Sequence, residues 1–206
     1  MTKQQLADTV IVFDFETTGL SPAQGDRAIE IGAVLIENGQ IQDRFQALMN
    51  PGFAVSPFIA DYTGINNQML STAEPCGDVM ARFADFIAGH NLVAHNASFD
   101  WRFLEYELAA IGRVPSNAIS CSMLISRRLL QHAPSHSLGS LVSYLNLPND
   151  GVFHRALYDA EMTASLWLAL LDELAQQFQV TEVDFALMQK IAKTPKAKLT
   201  KLLLNT

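Results

Sequence analysis

A chain of 206 residues suits one ordinary domain, and 49% apolar against 17% charged residues excludes a disordered polymer. No stretch reaches the ~18–20 uninterrupted apolar residues of a membrane span, and Met1-Thr2-Lys3-Gln4-Gln5 leads straight into polar sequence without a leader-like apolar run. The net charge of −7 argues against a uniformly basic nucleic-acid binder, but its distribution is uneven: Lys190, Lys193, Lys196, Lys198 and Lys201 crowd the end, where no acid follows Asp184. Cys76 and Cys121 stand far apart, outside any metal-ligand spacing, and predict free thiols in a reducing, cytoplasmic setting.

Thr9 to Glu16 is a β-rich run that stops at the turn signal Thr17-Thr18-Gly19. Strands over 28–36 and 41–49 follow, and Glu37-Asn38-Gly39-Gln40 is a hairpin-length link between them. Irregular and short helical pieces lead to Leu70. A helix is predicted from about Pro75, with Val79, Phe83, Phe86 and Ile87 as its core stripe. A short strand over 91–95 precedes a helix for which Asn96 is the expected N-cap. Helices over 123–130, 138–145 and 156–178 complete the pattern. A hairpin followed by alternating strands and helices implies an α/β domain with a mixed central sheet flanked by helices. The expected division is a main domain over 1–178 and a lysine-rich, helical appendage over 179–206.

Asp14 and Glu16 are two apart on a strand and therefore share a face, continuing the row of Val10 and Val12. Two carboxylates held together repel, and partial burial adds to the penalty; a divalent cation such as Mg²⁺ or Mn²⁺ relieves both. The plain alternative is a solvated strand end. Asp100 falls in the first turns of the helix after Asn96, a favourable place for an acid with or without a function. His154 and Asp159 are five apart, which on one helix separates them by roughly 140°. Gly151-Val152-Phe153 suggests a helix that begins only after His154, leaving the histidine on a loop as a base and Asp159 in the first turns as a metal ligand.

Three segments in order, Val12-Phe13-Asp14-Phe15-Glu16-Thr17-Thr18-Gly19-Leu20, His95-Asn96-Ala97-Ser98-Phe99-Asp100 and His154-Arg155-Ala156-Leu157-Tyr158-Asp159-Ala160, closely resemble the exonuclease motifs of the DEDD family. The sister branch of that family carries tyrosine where this chain has Arg155, so the resemblance is to the histidine branch. That branch includes the proofreading epsilon subunit of bacterial DNA polymerase III and ribonuclease T. Tyr62-Thr63-Gly64-Ile65 is similar to its short substrate-contacting segment, where histidine often replaces Thr63.

The resemblance covers about residues 8–175 and implies a ribonuclease H-like fold and 3′→5′ exonuclease chemistry. It implies two divalent ions held by Asp14, Glu16, Asp100 and Asp159, with His154 taking a proton from the attacking water. The expected products are nucleoside 5′-monophosphates. Thr17, Thr18, Thr63, Ile65 and Phe99 are the candidate contacts to the 3′ end of a nucleic acid, Phe99 also being a candidate for the core. DNA is favoured and RNA stays open, as do a polymerase partner and the oligomeric state.

Overall fold

A computed structural model describes residues 6–148 and 155–204; His154, and the loop expected around it, lie outside the described residues. Among the described residues six strands form one mixed sheet. They are β1 (Val10–Thr17), β2 (Ala28–Glu37), β3 (Gln40–Asn50), the two-residue β4 (Glu74–Pro75), β5 (Leu92–Ala94) and β6 (Ile119–Cys121), in the spatial order β4-β3-β2-β1-β5-β6. The β1–β2 and β2–β3 pairs are antiparallel, whereas β5 and β6 run parallel to β1. Asn38 (φ 51°) and Gly39 (φ 75°) turn the β2–β3 hairpin. Two successive left-handed residues match the right-handed twist of the flanking strands.

The alternation along β1 divides the core. Ile11, Phe13 and Phe15 face α3 (Cys76–Phe86) and α4 (Ser98–Ala110), in a layer with Val79, Phe83, Phe103 and Leu104. Val10 and Val12 face the other way, toward a layer that holds Ile125 of α5 (Ser122–Leu129), Leu141 of α6 (Leu138–Tyr144) and Leu166, Trp167 and Leu170 of α7 (Ala156–Phe178). Each large side chain buried in this way contributes roughly 1.5–3 kcal/mol. The helices on both faces complete the ribonuclease H-like α/β architecture expected from the motifs. No helix among the described residues is long and apolar enough to cross a membrane.

Two short helices, α1 (Pro57–Thr63) and α2 (Asn67–Ser71), occupy the segment after β3. The lysine-rich end forms α8 (Phe185–Lys193) and α9 (Leu199–Leu203). Phe185, Met188, Ile191, Leu199 and Leu203 join the α7 core layer, while Lys190, Lys193, Lys196, Lys198 and Lys201 stay exposed. Trp167 ties this end to the start of the described chain, its Nε1–H donating to Ala7 O at 2.7 Å and its ring meeting Phe185 at 6.1 Å.

One local expectation is corrected. Asn96 does not cap α4; Ala97 holds that position and no side chain caps the helix. Asn96 has φ 65° and its carbonyl accepts the Phe99 N–H at 2.9 Å. The chain leaving β5 must reverse within three residues, and asparagine is among the few residues that tolerate the left-handed region.

Candidate active site

The even-numbered face of β1 begins apolar with Val10 and Val12 and ends with Asp14 and Glu16, beside the start of α7. There the helix delivers Asp159. Carboxylate oxygens of Asp14, Glu16 and Asp159 lie within 4.8 Å of one another. Asp100 arrives from the opposite layer. β5 is in register only with Ile11 and Val12, so the end of β1 extends past it, and the Phe15 N–H is taken by Asp100 Oδ1 at 3.2 Å. All four predicted acids therefore converge at the C-terminal end of β1. The β1–β2 register shifts between Glu16 and Thr17, which pair with Glu30 and Ala28, so Ile29 of β2 is the extra residue; irregularities of this kind re-aim side chains beside active sites.

Asp100 is 2% exposed, Glu16 8% and Asp159 9%, while Asp14 is half-buried. Four acids at this density cannot all ionise freely. Burial is the main cause of the upward shift at Asp14, followed by the charges of Asp100, Asp159, Glu16 and Glu30. Burial, then Asp159, Glu30 and Asp100, push Glu16 up to about 8, with Arg155 pulling it down. Asp100 rises to about 7 through burial, restrained by the Phe15 N–H. An all-oxygen set of crowded acids whose carboxyls burial and mutual repulsion push upward is a set whose charge a cation would relieve. The donor chemistry fits a hard divalent metal.

Two close approaches hold this geometry. A Cβ added to Gly32 of β2 would lie 2.0 Å from Leu157 N and 2.2 Å from Ala156 C, so α7 begins directly against the strand. Gly19 is crowded by Asp26, whose carboxylate would lie 2.4 Å from an added Cβ. Asp26 in turn accepts the Ser21 N–H at 2.9 Å, and Thr18 Oγ1 accepts the Arg27 N–H at 3.0 Å. The Thr-Thr-Gly turn is thus pinned to the start of β2.

Asp14, Glu16 and Asp159 floor a cleft of about 980 Å³. Thr17 and Thr18 line it, although Thr17 Oγ1 already donates to Gly19 O at 2.6 Å. Phe99 both lines the cleft and packs on Phe103, ring centroids 5.1 Å apart, so its two expected roles coexist. Thr63 reaches the cleft but is buried, donating to Ile59 O at 2.8 Å and accepting the Ile65 N–H at 3.1 Å. Ile65 departs from its expected place. It is fully buried with Ile29, Val55 and Leu70 and does not line the cleft, because the turn at Gly64 (φ 71°) directs it into that small core.

The wall holds side chains beyond the candidate contacts, Tyr62 within the segment already singled out and Phe58 outside it. Phe58 and Tyr62, 72% and 52% exposed, stand one turn apart on α1 with ring centroids 6.0 Å apart and planes 10° from parallel. Leu20, 77% exposed, lines the same cleft from the turn after β1. The available signal was an i, i+4 aromatic pair between Pro57 and Gly64. His95 also lines the cleft. Its Nδ1 lies 2.9 Å from Ser122 Oγ and its Nε2 3.0 Å from His136 O, and burial lowers its pKa to about 4, leaving it a neutral brace for the 130–138 connection.

Comparison with known proteins gives the family of the chain. The family model described as Exonuclease matches residues 11–167. The 3′-5′ exonuclease DinG of Bacillus subtilis strain 168 is 39% identical over 167 residues, covering 81% of this chain and 18% of that protein. The PolC-type DNA polymerase III of Oceanobacillus iheyensis is 40% identical over 171 residues, covering 82% of this chain and 12% of the polymerase. The chain thus spans less than a fifth of the length of these two relatives. Among solved structures, exonuclease X in complex with 5′ overhanging duplex DNA superimposes with a TM-score of 0.68 at 26% identity, covering 89% of this chain and 99% of that one.

Proposed function

Because the chain belongs to the exonuclease family whose model matches residues 11–167, we propose that it is a metal-dependent 3′→5′ exonuclease. It hydrolyses the terminal phosphodiester of single-stranded or frayed DNA to nucleoside 5′-monophosphates. The observation that carries this reading is the convergence of Asp14, Glu16 and Asp159 oxygens within 4.8 Å at the floor of an aromatic-walled cleft.

In this reading Asp14, Glu16, Asp100 and Asp159 hold two Mg²⁺ or Mn²⁺ ions, and their mutual repulsion is what the cations relieve. When bound, such ions supply Lewis-acid stabilisation to the attacked phosphodiester. His154 removes the proton from the attacking water as a neutral imidazole. Thr17 and Thr18 border the path of the terminal nucleotide, with Thr63 beneath the wall. Phe58 and Tyr62 offer ring faces on which bases stack without regard to sequence. Residues 1–178 carry this machinery, and the apolar face of residues 183–203 packs into the core layer of α7.

DNA is favoured as substrate by the relatives: a polymerase III of PolC type and an exonuclease X bound to duplex DNA. The polymerase likeness also suggests that this chain works beside a polymerase as a proofreading partner. A 5′-labelled strand incubated with Mg²⁺ or Mn²⁺ tests the chemistry, in parallel as single-stranded DNA, duplex with a 3′ mismatch, and RNA. The expected result is a ladder shortening from the 3′ end, fastest on unpaired DNA. Inertness toward all three sinks the exonuclease reading, and preference for RNA makes the chain a trimming exoribonuclease.

A further inference from the structure

Two buried glutamates stand outside the three-acid group, and both are held in the same way. Glu30 on β2 is fully buried; it receives Arg155 Nε and Nη2 at 3.1 and 2.8 Å, the Ala156 N–H at 3.1 Å and Gln46 Nε2 at 2.9 Å. Glu107 on α4 is 1% exposed; it receives Arg27 Nε and Nη2 at 2.8 and 2.7 Å and the Ala28 N–H at 3.2 Å. In each case an arginine and the N–H of the next residue supply three donors to one carboxylate. Each fork crosses between β2 and a helix that carries an acid of the site.

The placement matters for the acids. Arg155 and Ala156 open α7, and the Arg155 carbonyl accepts the Asp159 N–H at 3.0 Å. Glu107 lies two helical turns after Asp100 and so on the same side of α4. Apolar packing alone defines α7's position poorly here, since the buried apolar residues at its start are Ala156 and Ala160 and the strand beneath offers Gly32. Small side chains leave few knobs to resist sliding, whereas a planar guanidinium fork has one preferred orientation. A buried ion pair is weak evidence for stability as such, because an apolar replacement commonly packs as well.

We propose that Glu30–Arg155 and Glu107–Arg27 are positioning pairs that set Asp159 and Asp100 at cation-binding distance from Asp14 and Glu16. The proposal rests on the exonuclease reading for its activity readout but not for its binding readout. Arg155→Lys and Arg27→Lys keep the charge and remove the planar fork. The Glu30→Gln/Arg155→Gln double variant keeps the net charge and removes the ion pair. The measurements are Mn²⁺ binding by calorimetry on the whole chain, the Mn²⁺ concentration for half-maximal cleavage, and the melting temperature.

Positioning predicts that both lysine variants and the double variant weaken Mn²⁺ binding and raise the half-saturating concentration by about 10–100-fold, the usual effect of removing support outside a metal's own ligands. Wild-type Mn²⁺ binding in the lysine variants, whatever their melting temperature, overturns the proposal by reducing the forks to structural ties. Wild-type binding in the double variant overturns it in favour of simple charge balance around Glu16. If one arginine variant fails to fold, the fork on the other helix decides by the same criterion. Should the wild-type chain bind Mn²⁺ yet cleave nothing, the exonuclease reading fails while calorimetry still judges the forks.

Discussion

At the floor of the cleft, four carboxylates from three distant stretches of chain stand largely buried, with Asp14, Glu16 and Asp159 lining it, whereas on its wall two aromatic rings four residues apart stand open to solvent. The floor depends on long-range packing: β1 supplies two acids, and α4 and α7 bring one each from opposite sides of the sheet. The wall depends on one short helix whose Ser56 Oγ accepts the Ile59 N–H and whose Gly64 ends it. Like charges buried together oppose folding, while exposed rings hardly affect it. Under the proposed function these are two kinds of residue, acids that would act on the reacting phosphodiester and rings that would hold the strand.

The largest expected effect lies on the floor. Asp14→Ala or Asp159→Ala removes an acid from the three-oxygen group, and cleavage falls by more than the ~100-fold typical of losing a merely supporting contact. The same variants, free of metal, melt at a higher temperature than wild type at pH 9, where the acids ionise and one repelling charge is gone. Activity lost while stability rises would mark the floor as selected for chemistry. Cleavage within tenfold of wild type would show that the acids are not the catalytic group.

Gly32→Ala tests the floor without touching an acid. Its new Cβ meets the backbone of α7 at 2.0 Å, and a helix backbone cannot swing aside as a flexible side chain can. The strain costs about 1–3 kcal/mol, or ~2–4 °C in melting temperature per kcal/mol for a chain of this size. Displacement of Asp159 lowers cleavage by roughly 10–100-fold. A variant that melts lower but cleaves normally would show that the floor tolerates movement of α7.

What was legible in the sequence follows the same division, with exceptions. Asp14 and Glu16 could be placed because strand alternation has a period of two and Val10 and Val12 set its phase. The bounds of α7 came out at Ala156 and Phe178 because its apolar positions are dense and periodic over many turns. Asn96 was misread because the side chain that makes a good cap also tolerates a left-handed turn. Glu30 carried a signal, a lone charge in the apolar run Ala28-Ile29-Glu30-Ile31-Gly32, but its partner Arg155 is 125 residues away, a distance no local pattern spans. Ile65 was misplaced because a loop side chain's direction depends on the backbone at Gly64, which periodicity does not report.

On the wall, Phe58→Ala and Tyr62→Ala sharpen the contrast. Base stacking on an aromatic side chain contributes ~1–3 kcal/mol per base, so KM for single-stranded DNA rises about tenfold or somewhat more in each variant, with kcat nearly unchanged. Melting temperature stays put, since both rings are more than half exposed. A drop in kcat with constant KM would move these residues from the wall's role to the floor's.

The smallest effect is a pH dependence that belongs to the floor alone. Glu16 is held at about 8 in the folded chain, above its ordinary 4.5, chiefly by burial and by Asp159. Between those values the folded state keeps a proton that the unfolded state has released. Unfolding free energy therefore falls as pH rises through this window. Asp14 and Asp100 are shifted in the same direction and add to the trend. The metal-free protein accordingly melts several degrees lower at pH 9 than at pH 5, each kcal/mol corresponding to ~2–4 °C. Mg²⁺ or Mn²⁺ binds the deprotonated acids and releases their protons, so the stabilisation it adds grows with pH across the same interval. Phe58→Ala leaves this profile unchanged, whereas Glu16→Gln flattens it. Melting curves at five pH values, with and without Mn²⁺, check both statements. A metal-free melting temperature that rises toward pH 9 would mean that the acids are ionised at neutrality, and that the floor holds its charges without a cation.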